Sequence, residues 1–237
     1  ICTESDLYIS GRDGGVNLRI LRRHTTRVDD PLSPFGPAWS LNYRRTFELD
    51  PVTQELVFTG FGRTDSFDAT VGKPNNWDGN RGRLDRAIWT QTGINPIQGT
   101  MKVRRPHGTT LVFHGEDRGD GVIVGHMTEV VSPNWNKIQI VYETSTAQPA
   151  LLSRRITKLI DSYGRDLDFG YYPDNPATLA LDESRLLFTI TDQTGPRSVV
   201  YLYTADDLTS VVTPLGKTTN YTYRGLGSGV LKHALAS

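Results

Sequence analysis

Apolar and polar residues alternate in short runs along most of the chain. Val16-Asn17-Leu18-Arg19-Ile20-Leu21, Lys137-Ile138-Gln139-Ile140-Val141-Tyr142 and Thr218-Thr219-Asn220-Tyr221-Thr222-Tyr223 each follow a period near two. Successive side chains of a strand point to opposite faces, so this pattern predicts half-buried β-strands. Gly, Pro, Asn or Asp interrupt the runs every few residues, as turns require. Helical periodicity is scarce, and the expectation is an all-β fold.

The runs are not independent of one another. With Gly216 as an anchor, the stretch from Val211 to Tyr223 recurs around Gly195, Gly164 and Gly108. Five residues before each anchor stands an aliphatic residue: Val211, Ile190, Leu159, Val103. Three before stands Thr213, Asp192, Asp161 or Arg105, and five after stand Tyr221, Phe169 and Phe113. The Gly195 copy carries one extra residue, which delays Tyr201 by one place. A fifth copy, from Val130 to Tyr142, has Trp135 where the glycine should be.

One copy reads as a β-hairpin. Thr-Pro-x-Gly and Asp-x-x-Gly suit a type I turn, and a glycine behind such a turn can take positive φ and form the bulge that returns right-twisted strands to register. Gly108, Gly164, Gly195 and Gly216 should therefore lie at hairpin turns, some of them at positive φ. The aliphatic residue and the aromatic five places past the glycine are expected to face each other across the strand pair. A lone hairpin is marginal in water, so the copies should stack into one continuous sheet. Between residues 64 and 100 the pattern lapses. Lys73-Pro74-Asn75-Asn76-Trp77-Asp78-Gly79-Asn80-Arg81-Gly82 is polar and turn-rich, which predicts a long loop projecting from the sheet. Residues 173–185 read as a shorter insertion, and no interdomain linker is apparent.

The length of 237 residues is ample for a buried core, and 23 Gly with 13 Pro fit a turn-rich fold. Lys plus Arg equals Asp plus Glu at 26 each, so no global field draws the chain to nucleic acid or an anionic membrane. The local clusters Arg22-Arg23-His24, Arg44-Arg45 and Arg104-Arg105 read as solvated strand faces. Cys2 is the only cysteine, which excludes an intramolecular disulfide and a cysteine-based zinc site. No apolar run approaches ~18 residues, so no membrane helix is expected. The chain begins at Ile1 without Met or a signal peptide, and reads as a piece of a longer protein.

Catalytic constellations are weak throughout. His24, His107, His114, His126 and His233 are dispersed, with no metal-ligand spacing. No Gly-x-Ser-x-Gly elbow exists, and Gly227-Ser228-Gly229 reads as a turn. The acid pairs Asp29-Asp30, Glu116-Asp117 and Asp206-Asp207 have turn settings, where carboxylates usually cap backbone; they form the best hydrolase alternative. Residues 76–82 alternate oxygen ligands but fail the calcium-loop template. The turns Gly60-Phe61-Gly62-Arg63 and Gly11-Arg12-Asp13-Gly14-Gly15 open no helix, so a phosphate cradle is not expected. Trp39, Tyr43, Phe169, Tyr171, Tyr172, Tyr201, Tyr203, Tyr221 and Tyr223 could stack sugars, although strand spacing favours packing within a wall. The expectation is no catalytic residue, no cofactor site and no metal site.

The unit from Tyr203 to Tyr223, with its Asp-rich turn, Leu-x-x-Val, Gly-ended turn and Tyr-x-Tyr strand, resembles the YD-repeat (Rhs) family. So does the N-terminal stretch from Asp6 to Arg12 and Leu18 to Ile20, followed by Ser33-Pro34-Phe35-Gly36-Pro37-Ala38-Trp39-Ser40-Leu41-Asn42-Tyr43, which is similar to the family's entry into its first shell strands. The resemblance covers about two-thirds of the chain and is strongest at 1–58 and 151–232. Trp135, the 64–100 stretch and Arg224 depart from the family pattern, and its self-cleaving aspartate motif has no match here.

The resemblance implies stacked antiparallel hairpins in a curved, spiralling sheet, part of a hollow shell that encloses cargo such as a toxin domain. It implies 1–58 as entry strands, 64–100 as an insertion and 101–232 as repeat hairpins of a single segment. The implied partners are the remainder of the shell and an enclosed effector or toxin, in a secreted or cell-surface protein that is not an enzyme. A carbohydrate- or surface-binding module using the 64–100 loop and exposed Tyr rows is the alternative, for which Trp77→Ala should abolish glycan binding. A wall cut from a spiral exposes strand edges, and Ser198-Val199-Val200-Tyr201-Leu202-Tyr203 carries neither charge nor Pro. Residues 1–237 alone are expected to self-associate in analytical ultracentrifugation; a concentration-independent monomer would contradict the open-wall reading.

Overall fold

The structure, a computed structural model, describes residues 1–11, 16–25, 33–80, 85–94, 97–143, 154–173, 185–195 and 197–223. The expectations for Arg12 to Gly15, Asp29-Asp30, Arg81-Gly82, residues 174–184, Arg224, Gly227 to Gly229 and His233 lie outside them. Among the described residues, every regular element but a single 3₁₀ residue is a strand or a turn. Strands β1 (Cys2–Ile9), β2 (Leu18–His24) and β3 (Trp39–Leu41) form a small antiparallel sheet. The other strands belong to one sheet of 15.

In that sheet, β4 (Arg45–Asp50), β5 (Glu55–Gly60), β6 (Arg63–Ala69), β7 (Asn76–Gly79), β8 (Arg86–Ile94), β9 (Ile97–Arg104), β10 (Thr110–Asp117) and β11 (Ile123–Val131) pair in sequence order. β11 then pairs back to β4, so the eight strands close into a barrel. The described residues of the 64–100 stretch are therefore wall, not a projecting loop. Its alternation escapes notice because the strands are short and the inward residues, such as Phe67, Trp77, Ala87 and Trp89, are separated by strongly polar outward ones.

An eight-stranded barrel leaves an interior that side chains can fill. Here rings fill it. Phe47 lies 5.9 Å from Phe113 and 6.0 Å from Trp89, and Phe58 lies 5.0 Å from Phe67. Three glycines stand side by side to make room, Gly99 opposite Gly115 and Gly115 opposite Gly125. A Cβ at Gly115 would come within 2.6 Å of Phe47 and 3.1 Å of Trp89.

Beyond the barrel the sheet continues as an open ladder: β12 (Lys137–Tyr142), β13 (Ile156–Asp161), β14 (Asp166–Tyr171), β15 (Leu187–Asp192), β16 (Arg197–Thr204), β17 (Asp207–Val212) and β18 (Thr218–Asn220). The fork lies in β11. One edge pairs with β10 along its length; the other gives Ile123–His126 to β4 and Glu129–Val131 to β12.

The repeat turns behave as the sequence predicts, with one surprise. Gly108, Gly164 and Gly216 sit at φ +83°, +74° and +75°. Each donates its N–H to the carbonyl three residues back, at 2.9, 3.1 and 2.9 Å, while that first turn residue donates to the carbonyl behind the glycine. Trp135 makes the same bond to Ser132, at 3.0 Å, and adopts φ +67° although it is not glycine. Gly195, in the copy with the extra residue, is not among the positive-φ glycines. There Asp192 organises the turn, accepting from the Thr194 N–H and hydroxyl at 3.0 and 2.6 Å. The register also refines the expected facing pair. Val103, Leu159 and Val211 lie opposite Leu111, Leu167 and Thr219, so the aromatic two residues further on is a diagonal neighbour.

Trp135 and Gly164 make a matched test of the turn. Positive φ costs an L-residue about 1–2 kcal/mol relative to glycine. Trp135 is 85% exposed and gives up little packing, so Trp135→Gly should raise stability to denaturant by about 1 kcal/mol. A Cβ at Gly164 meets nothing within 4 Å, so Gly164→Val should lower stability by about 1–2 kcal/mol from backbone strain alone.

Candidate functional site

The strongest concentration of buried polar chemistry lies where the small sheet covers the end of the ladder. Alternation in β2 sends Leu18, Ile20, Arg22 and His24 to one buried face. The pairing of β1 with β2 slips between Ser5 and Leu7, which leaves Asp6 as the extra residue of a bulge. The Asp6 carboxylate accepts from Arg22 Nε at 2.5 Å and from Nη2 at 2.8 Å, and both side chains are almost wholly buried. Burial alone would pull the Arg22 guanidinium down. The bond to Asp6 outweighs it and holds the group above its ordinary value.

Aromatic rings from both sheets enclose the pair. The guanidinium carbon lies 4.9 Å from the Trp39 ring centroid, 5.4 Å from Tyr221 and 5.8 Å from both Phe35 and Tyr201. Arg22 Nη2 donates to the Tyr221 hydroxyl at 3.1 Å, and the Tyr201 hydroxyl donates to Asp6 at 2.9 Å. Burial, followed by the Asp6 charge, raises the Tyr201 hydroxyl well above its ordinary range, so it remains a donor. Trp39 Nε1 donates to the Tyr223 hydroxyl at 2.8 Å, and Tyr223 donates onward to the Leu208 carbonyl at 2.7 Å.

The Ser33-to-Leu41 motif is what delivers Phe35 and Trp39. Gly36 at φ +81° and Ala38 at φ +62° fold it into two successive turns. A Cβ on Gly36 would overlap the carbonyl oxygen of Asp206, so only glycine lets the motif approach the turn between β16 and β17. The Pro34 carbonyl accepts from the Leu187 N–H at 2.8 Å and from the Tyr203 hydroxyl at 3.2 Å.

The basic clusters thus depart from the expected solvated faces. Arg22 and His24 are buried, Arg23 Nη1 donates to the Phe61 carbonyl at 3.3 Å, and Arg105 pairs with Asp85 at 2.6 Å. Only Arg104 is exposed. The reason is parity: Arg22 stands an even number of places from Leu18 and Ile20, and a charge is tolerated there because the bulge turns a carboxylate towards it.

The Tyr-x-Tyr strands have a function that the sequence pattern did not reveal. The tyrosine seven places past the turn residue, or eight past Gly195 in the copy with the extra residue, donates its hydroxyl to a main-chain carbonyl about one strand pair upstream. Tyr142 reaches Met127 at 2.7 Å, Tyr171 reaches Ile156 at 2.8 Å and Tyr203 reaches Leu187 at 3.0 Å. Burial drives the hydroxyls of Tyr142 and Tyr171 well above their ordinary range. These rings are wall packing, not a sugar platform. Trp77 is likewise buried, with Nε1 on the Gln54 carbonyl at 2.9 Å.

The remaining candidates stay apart. His107 is exposed at its turn, and His24 packs on Trp39 at 5.0 Å. His114 and His126 are cross-strand partners with rings 6.3 Å apart. Burial, then the charges of His114, Arg154 and Arg44, pushes His126 down to about 3. His114 meets Glu116 at 3.1 Å. Asp117 caps the Gly119 and Gly121 N–H groups, and Asp207 pairs with Thr204 at a turn. Asp78 is engaged by Thr70 and Arg86. Among the described residues, no group of three or more His, Cys, Asp or Glu is placed to hold a metal ion, and no helix is long and apolar enough to cross a membrane.

No protein-family model and no curated protein matches the chain. Solved structures do. A crystal structure of TcdB2-TccC3-Cdc42 superposes with a TM-score of 0.54 at 12% identity, over 93% of this chain and 15% of that one. A mutant Tc holotoxin pore of Photorhabdus luminescens gives a TM-score of 0.58 at 12% identity, over 92% of this chain and 15% of that one. The chain has the fold of a Tc-toxin segment. At such identity the likeness is one of fold, and it agrees with the YD-repeat resemblance carried by the hairpin units. The chain spans about 15% of the length of the chains it matches.

Removing one partner of a buried ion pair strands the other charge, at about 3–5 kcal/mol. Asp6→Asn and Arg22→Met should each destabilise the protein by that order. Replacing both together should cost clearly less than the sum, as a double-mutant cycle in denaturant would measure.

Proposed function

We propose that the chain is a structural wall segment of a hollow YD-repeat shell, with no chemistry of its own, in a secreted or cell-surface protein that houses or delivers a toxin or effector domain. The observation that carries this reading is the ladder from β11 to β18. Each hairpin of β11–β12, β13–β14 and β17–β18 uses the same αL turn, and each pairs with its neighbour by main-chain bonds, so the series can be extended without a new kind of contact. Fold likeness over 93% and 92% of the chain to two solved structures, one of them named a Tc holotoxin pore, supports it.

The two faces of the ladder suit a wall. One buries Leu159, Phe169, Ile190 and Tyr201. The other carries polar cross-strand pairs, among them Lys158 with Asp166 at 2.7 Å and Asp168 at 3.0 Å, and Gln193 with Asp168 at 2.6 Å. The remainder of the shell and the enclosed domain are the partners this reading requires.

Electron microscopy of the full-length protein tests it. A hollow particle with this segment in its wall is the expected result; a solid, compact particle would overturn the encapsulating role.

A further inference from the structure

β11 passes from one neighbour to another along one edge, and a buried histidine stands at the crossing. His126, opposite Thr46, is the last residue that β11 pairs with β4. Glu129, opposite Gln139, is the first that it pairs with β12. Met127 and Thr128 between them pair with neither strand. Tyr142 of β12 closes this crotch. Its hydroxyl donates to the Met127 carbonyl at 2.7 Å, and its ring meets the His126 ring edge-on at a centroid distance of 4.1 Å.

His126 suits this place only while neutral. It is 5% exposed, and its buried Nδ1 meets no hydrogen-bond partner among the described residues. A neutral imidazole carries one N–H, whereas the imidazolium carries two. A proton on His126 would therefore bury a charge and an unpaired donor together. The groups around it offer that charge no welcome. His114 faces it from β10 with the rings 6.3 Å apart, and Glu116 on the same strand is engaged by His114 at 3.1 Å. Arg44, just before β4, and Arg154, just before β13, both act on it with positive charge. Thr46 of β4 and Tyr142 of β12 bring no carboxylate.

We propose that His126 is an acid-sensitive latch between barrel and ladder: proton uptake by its imidazole unseats Tyr142 and lets β12 part from β11. The latch stands whatever the wall encloses. Once the crotch is open the ring meets water and takes its proton near its ordinary value of 6.5, whereas burial and the nearby cations hold the closed form down to about 3. The closed form is thus fully favoured above pH 6.5 and loses ground as pH falls towards about 3. Between about pH 7.5 and about pH 5 the opening equilibrium should rise about 30-fold.

Hydrogen exchange of the full chain, read by mass spectrometry and corrected for the intrinsic effect of pH, tests this. Acidification should speed exchange in peptides from 123–142 by about that factor and leave β5 to β7 unchanged. His126→Gln should remove most of the rise, and His114→Gln should keep most of it. An equal rise in wild type and His126→Gln, a rise spread over the whole chain, or no rise in the wild type would overturn the proposal. If His126→Gln does not fold, the imidazole resonances of the wild type decide it. His126 should stay neutral to well below pH 6.5 and gain its proton together with faster exchange in β12. Titration near 6.5 with β12 unchanged removes the latch.

Discussion

Each regular repeat hairpin depends on a single residue held in the left-handed region. Gly108, Gly164 and Gly216 supply it at no steric cost, and Trp135 supplies it under strain. That residue closes the turn and fixes which strand positions oppose one another. Parity then decides the rest. Once Leu159 faces inward, Phe169 does too, and Tyr171 falls where its hydroxyl meets the Ile156 carbonyl. The net worth of one such bond is about 1 kcal/mol, so it is repetition that makes the ladder firm.

Where the repeat departs from its own rule, the packing shows why. The first copy has Gly115 at the place where later copies carry the bonded tyrosine. A tyrosine there would collide with Phe47 and Trp89, which occupy the barrel interior. The barrel is filled by rings pointing across it and the ladder by rings lying along it. β11 serves both, its two halves given to different neighbours.

Much of this was legible in the sequence. The glycine anchors, the hairpin units and the all-β class follow from spacing and turn chemistry. Closure of the barrel was not legible, because it depends on β4 meeting β11 across a long stretch of chain. The strands between 64 and 100 hid behind their polar outer residues. The role of Arg22 was concealed by its type: three consecutive basic residues look solvated, and nothing local to them announces that Asp6 is the extra residue of a bulge. Tyr201, Tyr221 and Tyr223 were visible as a pattern, but their partners near the other end of the chain were not.

The two margins of the ladder are unlike. Along one, the connections 132–135, 161–164 and 213–216 are tight turns of the same design, and Ser162 is bonded to the main chain of Lys137 beside it. Along the other, residues 143–155 and 172–186 separate successive strands, whereas 205–206 alone join β16 to β17. The length of chain between strands is therefore far more variable along the second margin than along the first. The first margin is a seam that has admitted only the one extra residue of the Gly195 copy, and the second is where the chain between strands changes from 2 residues to 15 without disturbing the register of the wall.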